Sequence, residues 1–282
     1  MKPFIKWAGG KTKLLPELLK YVPETYGRYI EPFVGGGALL FALKPEKALL
    51  ADSNFELIWS YIAIQKRPHF LMAFLDNLRC ADNANFYLQQ RKNFNKNKAM
   101  PYHRALGLTE MEVIELAGQL IYLNKTCYNG LFRVNKKGNF NVPYGRYHTP
   151  DLYEAKNIEA ISDFLSNHKR IEHNYFTKTL SFAKPGDFIY CDPPYHRGFT
   201  AYTAQGFTEE DQMELAGMCA DLSNRGCHIL TSNSNTDFIK QLWGQYGCFD
   251  IHMVEAPRSI NCNGNGRGKV EELIITNVRR TE

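Results

Sequence analysis

The amino-acid sequence predicts an α/β protein in which a doubly wound sheet is interrupted by a basic, mainly helical insertion. Short apolar segments alternate with helical patterns at both ends of the chain, as strands and helices do in such sheets. A glycine turn, Gly35–Gly37, separates one such segment from a helical one. From Glu56 to about Gln119 apolar residues recur at helical spacing. We therefore predict a sheet domain over residues 1–55 and 151–282, and an inserted domain over residues 56–150.

Each predicted element rests on a local pattern. Ala38–Leu43 is apolar and helical, and it stops before Pro45, because proline cannot continue a helix. Thr208 and Asp211 form a capping pair for the helix that follows them. Val134–Phe140 predicts a hairpin with two lysines and a glycine at its tip. Strands are predicted at Arg28–Ile30, Ala48–Ala51, Asp187–Cys191, His228–Ser232, Phe249–Val254 and Glu272–Asn277, with the last two forming an antiparallel pair.

The composition excludes several classes of protein. The chain has 282 residues and a formal net charge of +5, and its 44% hydrophobic and 22% charged residues are typical of globular rather than disordered proteins. No apolar run approaches the roughly 20 residues of a membrane helix, and no secretion signal is recognisable. The 7 cysteines include no C-x-x-C pair, which argues against a disulfide scaffold or a zinc ribbon. We expect a cytoplasmic protein with no metal, no membrane and no obligate protein partner.

One stretch of the chain is free of acidic residues. It runs from Glu115 to Asp151, and cations alternate there with aromatic side chains. This pattern suits phosphate contact combined with base stacking, although it is also compatible with a solvated face above ordinary core aromatics. The residues concerned are Lys125, Arg133, Lys136, Lys137 and Arg146, together with Tyr122, Tyr128, Phe132, Phe140, Tyr144 and Tyr147.

The glycine turn and Asp52 predict a nucleotide-like ligand. Glycines let a backbone approach a cofactor closely, and a carboxylate at the end of the next strand can hold ribose hydroxyls. The spacing differs from that of dinucleotide-binding turns, and the turn could instead be merely tight, with Asp52 capping the following helix. Gly9-Gly10-Lys11-Thr12 lacks the first glycine of a P-loop, so an ATPase is not predicted.

Asp192-Pro193-Pro194-Tyr195 is the most specific chemical signal. It follows a buried strand, and two prolines fix the backbone and leave carbonyl groups free to accept hydrogen bonds. Asp192 and the Pro193 carbonyl can accept the two N–H groups of an exocyclic amine while Tyr195 stacks on its ring. The alternative is a strand that ends in a proline turn with a surface aspartate.

Several motifs in a fixed order resemble those of the Dam-type DNA adenine methyltransferases, and they cover nearly the whole chain. The motifs are Phe4–Lys11, Glu31–Gly37, Asp52, Tyr128–Arg133, Phe140–Tyr147, Asp192–Tyr195 and Ser232-Asn233. The resemblance implies a Rossmann-like, S-adenosylmethionine-dependent methyltransferase sheet with an inserted DNA-recognition domain. It also implies double-stranded DNA containing GATC as the substrate and an adenine-specific site for methyl transfer.

The resemblance also assigns roles to individual residues. Catalysis is expected from Asp192, Pro193 and Tyr195. Cofactor binding is expected from Trp7, Lys11, Phe33, Gly35, Asp52, Phe176 and Asp192. DNA binding is expected from Lys6, Tyr128, Asn129, Leu131, Arg133, Lys136, Lys137, Asn141, Pro143, Arg146 and Tyr147. Arg133 is the candidate for a bidentate contact with guanine, whereas Arg146 could be only a phosphate clamp and Tyr147 could belong to the hairpin core.

The predicted reaction is direct methyl transfer to the 6-amino group of a flipped adenine. No covalent enzyme intermediate is needed, and Cys191 beside the catalytic motif is interpreted as a core residue. Cytosine N4, RNA or a protein glutamine amide are rival substrates. Asp192 disfavours the glutamine enzymes, which carry asparagine there, and the cytosine N4 enzymes, which commonly carry serine. A non-enzymatic DNA-binding module is the rival from another class, and the intact Trp7, Asp52 and Asp192 argue against it.

Overall fold

The computed structural model describes residues 1–7, 9–98, 107–197, 206–257 and 269–280, and it arranges them around a seven-stranded sheet. Its strands are β1 Tyr29–Glu31, β2 Ala48–Asp52, β3 Lys169–His173, β4 Phe188–Cys191, β5 His228–Ser234, β6 Asp250–Pro257 and β7 Lys269–Thr276. The strand order is β3-β2-β1-β4-β5-β7-β6, in which β7 runs antiparallel to β5 and β6 while the other pairs are parallel. The predicted sheet and its closing antiparallel pair are confirmed. Ala8 and Cys262, which belong to the sequence patterns above, lie outside the described residues.

The helices surround this sheet and form most of the segment between β2 and β3. They are α1 Leu15–Leu18, α2 Ala38–Leu43, α3 Phe55–Lys66, α4 Pro68–Cys80, α5 Ala84–Lys98, α6 Glu110–Thr126, α7 Ala155–Ser166, α8 Phe176–Leu180, α9 Glu209–Asn224 and α10 Asp237–Gly244. The predicted cap of α9 is present: Asp211 N donates to Thr208 Oγ1 (3.2 Å) and Thr208 N donates to Asp211 Oδ2 (2.7 Å). The helical prediction for the segment after Glu56 is confirmed as well.

Two elements near the middle of the chain were not predicted individually. β3 is Lys-Arg-Ile-Glu-His, a charged strand at the edge of the sheet, and such a strand lacks the apolar alternation by which strands are recognised. α7 precedes it and buries Ile158, Ile161 and Leu165, which lie three and four residues apart on one face. Both elements follow Asp151, where the sequence predicted that α/β alternation resumes.

The core lies on both faces of the sheet. In β4, Phe188 and Tyr190 join the hydrophobic cluster on one face, whereas Ile189 and Cys191 join the cluster on the other. A parallel strand buried on both sides reads as a continuous apolar run, as this one does. Cys191 is fully buried in that second cluster, in agreement with its interpretation as a core residue.

α3 connects the sheet to the helical segment. It packs against β2, β3 and α7 on the sheet side and against α4 and α6 on the other. The hydrophobic cluster that contains Phe188 and Tyr190 accordingly continues from β1 and β4 into α4, α5 and α6. The division of the chain at residues 55 and 150 stays a prediction.

The predicted hairpin is present as a turn with one isolated bridge instead of a regular ladder, and a second bridge joins Cys127 to Tyr144 outside it. Val134 and Phe140 form one antiparallel bridge, and Asn135 N donates to Asn139 O (2.9 Å). Gly138 has φ +77°, a left-handed conformation that glycine adopts without strain. None of the helices in the described parts of the chain combines the length and apolar character needed to cross a membrane.

Candidate active site

The carboxyl ends of β1, β2 and β4 meet at one point of the sheet. β1 lies between the other two, with Ile30 opposite Leu49 on one side and Ile189 on the other. Along the chain, β2 and β3 follow on one side of β1, and β4 and β5 then follow on its other side. The strand order therefore reverses at β1, and ligands of open α/β sheets bind at such a switch point. The glycine turn follows β1, Asp52 ends β2 and Asp192 follows β4. The glycine turn, Asp52 and Asp192 therefore lie at neighbouring strand ends.

Asp52 holds two backbone turns together at this point. Gly35 N donates to its Oδ2 (3.0 Å) and Asn54 N donates to its Oδ1 (2.8 Å). The N-cap of α3 is Asn54, which accepts a hydrogen bond from Leu57 N (2.8 Å). Asp52 therefore does not cap this helix, which was the alternative interpretation of its position. Burial raises the pKa of Asp52 to about 6, although the backbone N–H groups oppose this shift.

The glycine turn allows a close approach of Trp7. Gly35 has φ +48°, and a Cβ atom at this position would lie 3.0 Å from Cδ1 of Trp7. Trp7 also stacks on Phe132, with ring centroids 4.9 Å apart and an angle of 21° between the planes. The preceding residue is fixed by Asn124, whose side chain accepts from Lys6 N (3.0 Å) and donates to Lys6 O (2.8 Å). Residues 6 and 7 thereby join the switch point to the helical segment.

A cluster of three phenylalanines forms an apolar wall beside the glycine turn. Phe33 stacks on Phe176 with centroids 5.5 Å apart, and Phe207 meets Phe33 edge-on at 5.8 Å. Phe176 is buried, whereas Phe33 is half-buried. Phe207 was not predicted from the sequence, since its only signal is an aromatic side chain directly before the cap of α9.

Asp192 lies in a network of charged and polar groups. Lys11 Nζ is 2.8 Å from its Oδ1, and Ser232 Oγ donates to the same oxygen (2.9 Å). Lys11 also donates to Gly9 O (2.6 Å) and lies 4.5 Å from the centre of the Tyr195 ring. The Lys11 and Asp192 side chains are 9% and 19% exposed, so this ion pair is largely shielded from water. The sequence named Lys11 and Asp192 separately and did not predict that they pair.

Tyr195 is anchored by a carboxylate of the last described strand. Its hydroxyl donates to Glu272 Oε2 (2.7 Å), which lies on β7. Burial raises the pKa of the Tyr195 hydroxyl well above its usual range, so the hydroxyl stays a donor in this bond. Glu272 was predicted only as the start of a strand, because nothing in its local sequence points to a residue 77 positions earlier.

The backbone of the Asp192–Tyr195 motif is held by two buried amide side chains. Gln212 Nε2 donates to Pro194 O (2.9 Å), and Asn233 Nδ2 donates to Gln212 Oε1 (3.0 Å). Asn233 Oδ1 in turn accepts from His196 N (3.1 Å). Both amides are buried. No described group donates to the Pro193 carbonyl, and its role as an acceptor stays a prediction.

The expected DNA-contacting residues from Tyr128 to Tyr147 lie on the hairpin and on the turn before it. Tyr128 N donates to Pro143 O (2.9 Å), which brings the two halves of the predicted interface side by side. Asn129 and Arg146 both have left-handed backbones, with φ +59° and +57°. The Tyr128 and Tyr147 side chains are 59% and 39% exposed, so Tyr147 does not belong to the hairpin core.

Arg133 is held within the hairpin by its neighbour across the turn. Its Nε donates to Asn141 Oδ1 (2.9 Å), and Asn141 N donates to Arg133 O (3.3 Å). Leu131, Arg133 and Asn141 are half-buried, while Lys136 and Lys137 are exposed at the tip. The bond through Nε leaves the two terminal nitrogens of Arg133 without an acceptor among the described residues.

The structure brings the expected cofactor and catalytic residues together at the strand ends. The expected DNA-contacting residues lie on the hairpin, the turn before it and the segment around Lys6, and Trp7 touches both regions. Within the described residues, no cluster of His, Cys, Asp and Glu side chains is arranged to hold a metal ion.

Comparisons with known proteins agree with this geometry. Residues 7–260 match the family described as D12 class N6 adenine-specific DNA methyltransferase. A type II methyltransferase of Lactococcus lactis, M1.LlaDCHI, is 38% identical over 98% of this chain and 95% of its own. Another, M.MjaIII of Methanocaldococcus jannaschii, is 38% identical over 98% and 99%. The DNA adenine methylase of Escherichia coli K12 is 34% identical over 97% and 94%. This chain therefore belongs to the D12 class of N6 adenine-specific DNA methyltransferases.

Proposed function

We propose that the enzyme methylates the 6-amino group of an adenine that is flipped out of double-stranded DNA, within the sequence 5'-GATC-3'. The observation that carries this proposal is the arrangement of two acceptors, Asp192 and the Pro193 carbonyl, next to the aromatic ring of Tyr195 at the switch point. An adenine offers two N–H donors and a flat ring to such a site. The GATC target is supported by the resemblance of the Tyr128–Tyr147 segment to the GATC-reading element of Dam-type enzymes.

The switch point also fits S-adenosylmethionine, the methyl donor of this class as a general property of the family. The cofactor supplies an electrophilic methyl group when it is bound. Glu31 is buried there, its Oε2 has no hydrogen-bond partner among the described residues, and burial raises its pKa well above the usual range. A cationic ligand with N–H donors matches such an orphaned acceptor. We assign the cofactor site to Trp7, Lys11, Phe33, Gly35, Asp52, Phe176 and Asp192.

The groups at Asp192 make the adenine amine reactive. Its lone pair is delocalised into the ring, and so the amine is a weak nucleophile. Hydrogen bonds from its two N–H groups to Asp192 and the Pro193 carbonyl favour the pyramidal form and stabilise the positive charge that develops on nitrogen. Stacking on Tyr195, worth about 1–3 kcal/mol, offsets much of the cost of extruding the base.

We assign DNA recognition to residues 56–150 and methyl transfer to residues 1–55 and 151–282. The support for this assignment is the surface of exposed aromatic and basic side chains around the hairpin. Tyr128 and Asn129 fill the space left by the flipped base, and Arg133 reads guanine. Lys6, Leu131, Asn141, Pro143, Arg146 and Tyr147 position or read the other base pairs, and Lys136 and Lys137 contact phosphates.

The proposal is tested by transfer of tritium from labelled S-adenosylmethionine to short duplexes. One duplex contains a single GATC, a second carries N6-methyladenine at that position on both strands, and others differ from GATC at one base pair each. We expect label in the first duplex alone, recovered as N6-methyladenine after digestion to nucleosides. Label in cytosine, in RNA or in a duplex without GATC would contradict the proposal.

A further inference from the structure

One face of α5 lies against the second arm of the hairpin, residues 140–142, which we call the outer arm. Tyr87, Arg91 and Asn95 are four residues apart on this helix and therefore share a face. Tyr87 Oη donates to Val142 O (2.8 Å) and Arg91 Nη1 donates to the same carbonyl (3.1 Å). Asn95 bonds both backbone groups of Phe140, accepting from its N (2.8 Å) and donating to its O (3.0 Å).

These bonds occupy the side of the arm that a neighbouring strand would normally pair with. In an extended chain, alternate residues direct their backbone groups to opposite edges. Phe140 and Val142 bond to α5, whereas Asn141 between them bonds to Arg133 on the other edge. The side chains of α5 thus take the place of a third strand for both backbone groups of Phe140 and for the carbonyl of Val142.

The contacts lead directly to Arg133. Asn141 is fixed on both flanks by the bonds of α5, and it holds Arg133 through Nε and the backbone carbonyl. Rings reinforce the same junction: Phe94 of α5 meets Phe140 edge-on, with centroids 6.2 Å apart. A shift of the arm therefore moves the terminal nitrogens of Arg133 away from their target, while the exposed lysines at the tip keep their charge.

We propose that Tyr87 and Asn95 are positioning residues for sequence recognition, which set the selectivity of the enzyme through Arg133 without touching DNA. This inference rests on the proposed role of the hairpin in reading DNA. It predicts that loosening the arm lowers discrimination between target and altered sites more than it lowers binding to DNA in general. A bidentate contact needs two aligned hydrogen bonds, whereas a phosphate contact tolerates displacement.

The experiment compares Asn95→Ala and Tyr87→Phe with Asn93→Ala. Asn93 lies on the same helix and accepts a hydrogen bond from Gln89, four residues away, so it is a matched control. Tyr87→Phe keeps the buried ring and removes only the hydroxyl's bond to Val142 O, while the bond from Arg91 Nη1 to the same carbonyl remains. For each variant we measure kcat/KM on the preferred duplex and on each singly altered duplex, together with the affinity for a duplex without the site. The same substitutions are repeated in an Arg133→Lys background.

We expect each α5 variant to lose roughly fivefold in selectivity, about the value of one hydrogen bond, at the base pair that Arg133 reads. The loss should be absent in Asn93→Ala and should disappear in the Arg133→Lys background, because coupled residues are not additive. Equal losses on all duplexes, or a full additional loss in that background, would overturn the inference. If the wild-type enzyme methylates no adenine in duplex DNA, this result contradicts the proposed function itself and not only the link between α5 and Arg133.

Discussion

At the scale of single residues, Asp192 illustrates what sequence reasoning reaches and what it misses. The order Asp-Pro-Pro-Tyr after a buried strand was sufficient to predict an acceptor pair beside an aromatic ring. The ion pair with Lys11 and the bond from Ser232 join residues far apart in the chain, and only the folded sheet brings them to one carboxylate. The same holds for Glu272, which anchors Tyr195 from another strand.

Asp192→Asn is the most direct test of whether this residue contributes to methyl transfer. It keeps the shape of the side chain but replaces a charged acceptor, so stabilisation of the developing positive charge is lost. We expect kcat to fall by about 10²-fold or more, with DNA affinity unchanged and cofactor affinity reduced only modestly. The measurement is single-turnover methyl transfer, with the exposed Asp163→Asn as the control. Near-normal turnover in Asp192→Asn would remove this residue from catalysis.

Asp52 predicts how cofactor binding depends on pH. Because burial raises its pKa to about 6, the carboxyl is ionised above that pH and protonated below it. The ionised form accepts hydroxyl hydrogen bonds better, so affinity for S-adenosylmethionine should fall as pH drops from 7 to 5. Equilibrium titrations across this range give the profile, and Asp52→Asn should bind weakly with a flatter one. An affinity that is constant from pH 7 to 5 in the wild-type enzyme would speak against this role.

At the scale of elements, the strands with apolar runs and the capped helix α9 were predictable from local patterns. β3 was not, because it is a charged edge strand, and neither was the manner in which the hairpin is held. The edge of its outer arm that faces away from Val134 has no strand partner among the described residues, and the hydrogen bonds on that edge come from side chains of α5, 45 to 55 residues earlier in the chain. Such an arrangement depends on how helices pack, which periodicity does not reveal.

The tip of the hairpin gives a prediction about phosphate binding. Lys136→Ala and Lys137→Ala should weaken binding about equally on target and scrambled duplexes, since exposed lysines neutralise phosphates without reading bases. Removing one lysine–phosphate interaction should reduce the slope of log affinity against log salt by about one. Salt titrations of binding test this, with the exposed Lys240→Ala on α10 as the control. Weaker binding to the target duplex alone would identify these lysines as base readers instead.

At the scale of the whole molecule, Trp7 contacts both the glycine turn at the switch point and the segment proposed to bind DNA. It packs over the glycine turn at the switch point and stacks on Phe132, which follows the turn at Tyr128–Gly130. The proposed cofactor and DNA sites are therefore connected through two rings that touch. This stack is not visible in the sequence, where the two residues are 125 positions apart.

Phe132→Leu should uncouple the two ligands. Leucine keeps an apolar side chain at a fully buried position but removes the stacked ring. We expect wild-type enzyme to bind S-adenosylmethionine about fivefold or more tightly when DNA is present, and the variant to show little difference. Paired titrations with and without duplex measure the coupling. If DNA changed the affinity for S-adenosylmethionine equally in both proteins, the stack of Trp7 on Phe132 would not contribute to the coupling between the two ligands.

The position of β7 has a consequence for biosynthesis. β7 is made after β6 yet lies between β5 and β6 in the sheet. While the ribosome is still adding these residues, the edge of β5 is uncovered and β6 has no neighbour to pair with. Tyr195 likewise waits for Glu272, so a nascent chain that already carries the whole Asp-Pro-Pro-Tyr motif cannot yet fasten its tyrosine. Catalytic competence should thus arrive late in translation, and the uncovered edge is the stretch that a chaperone would need to shield.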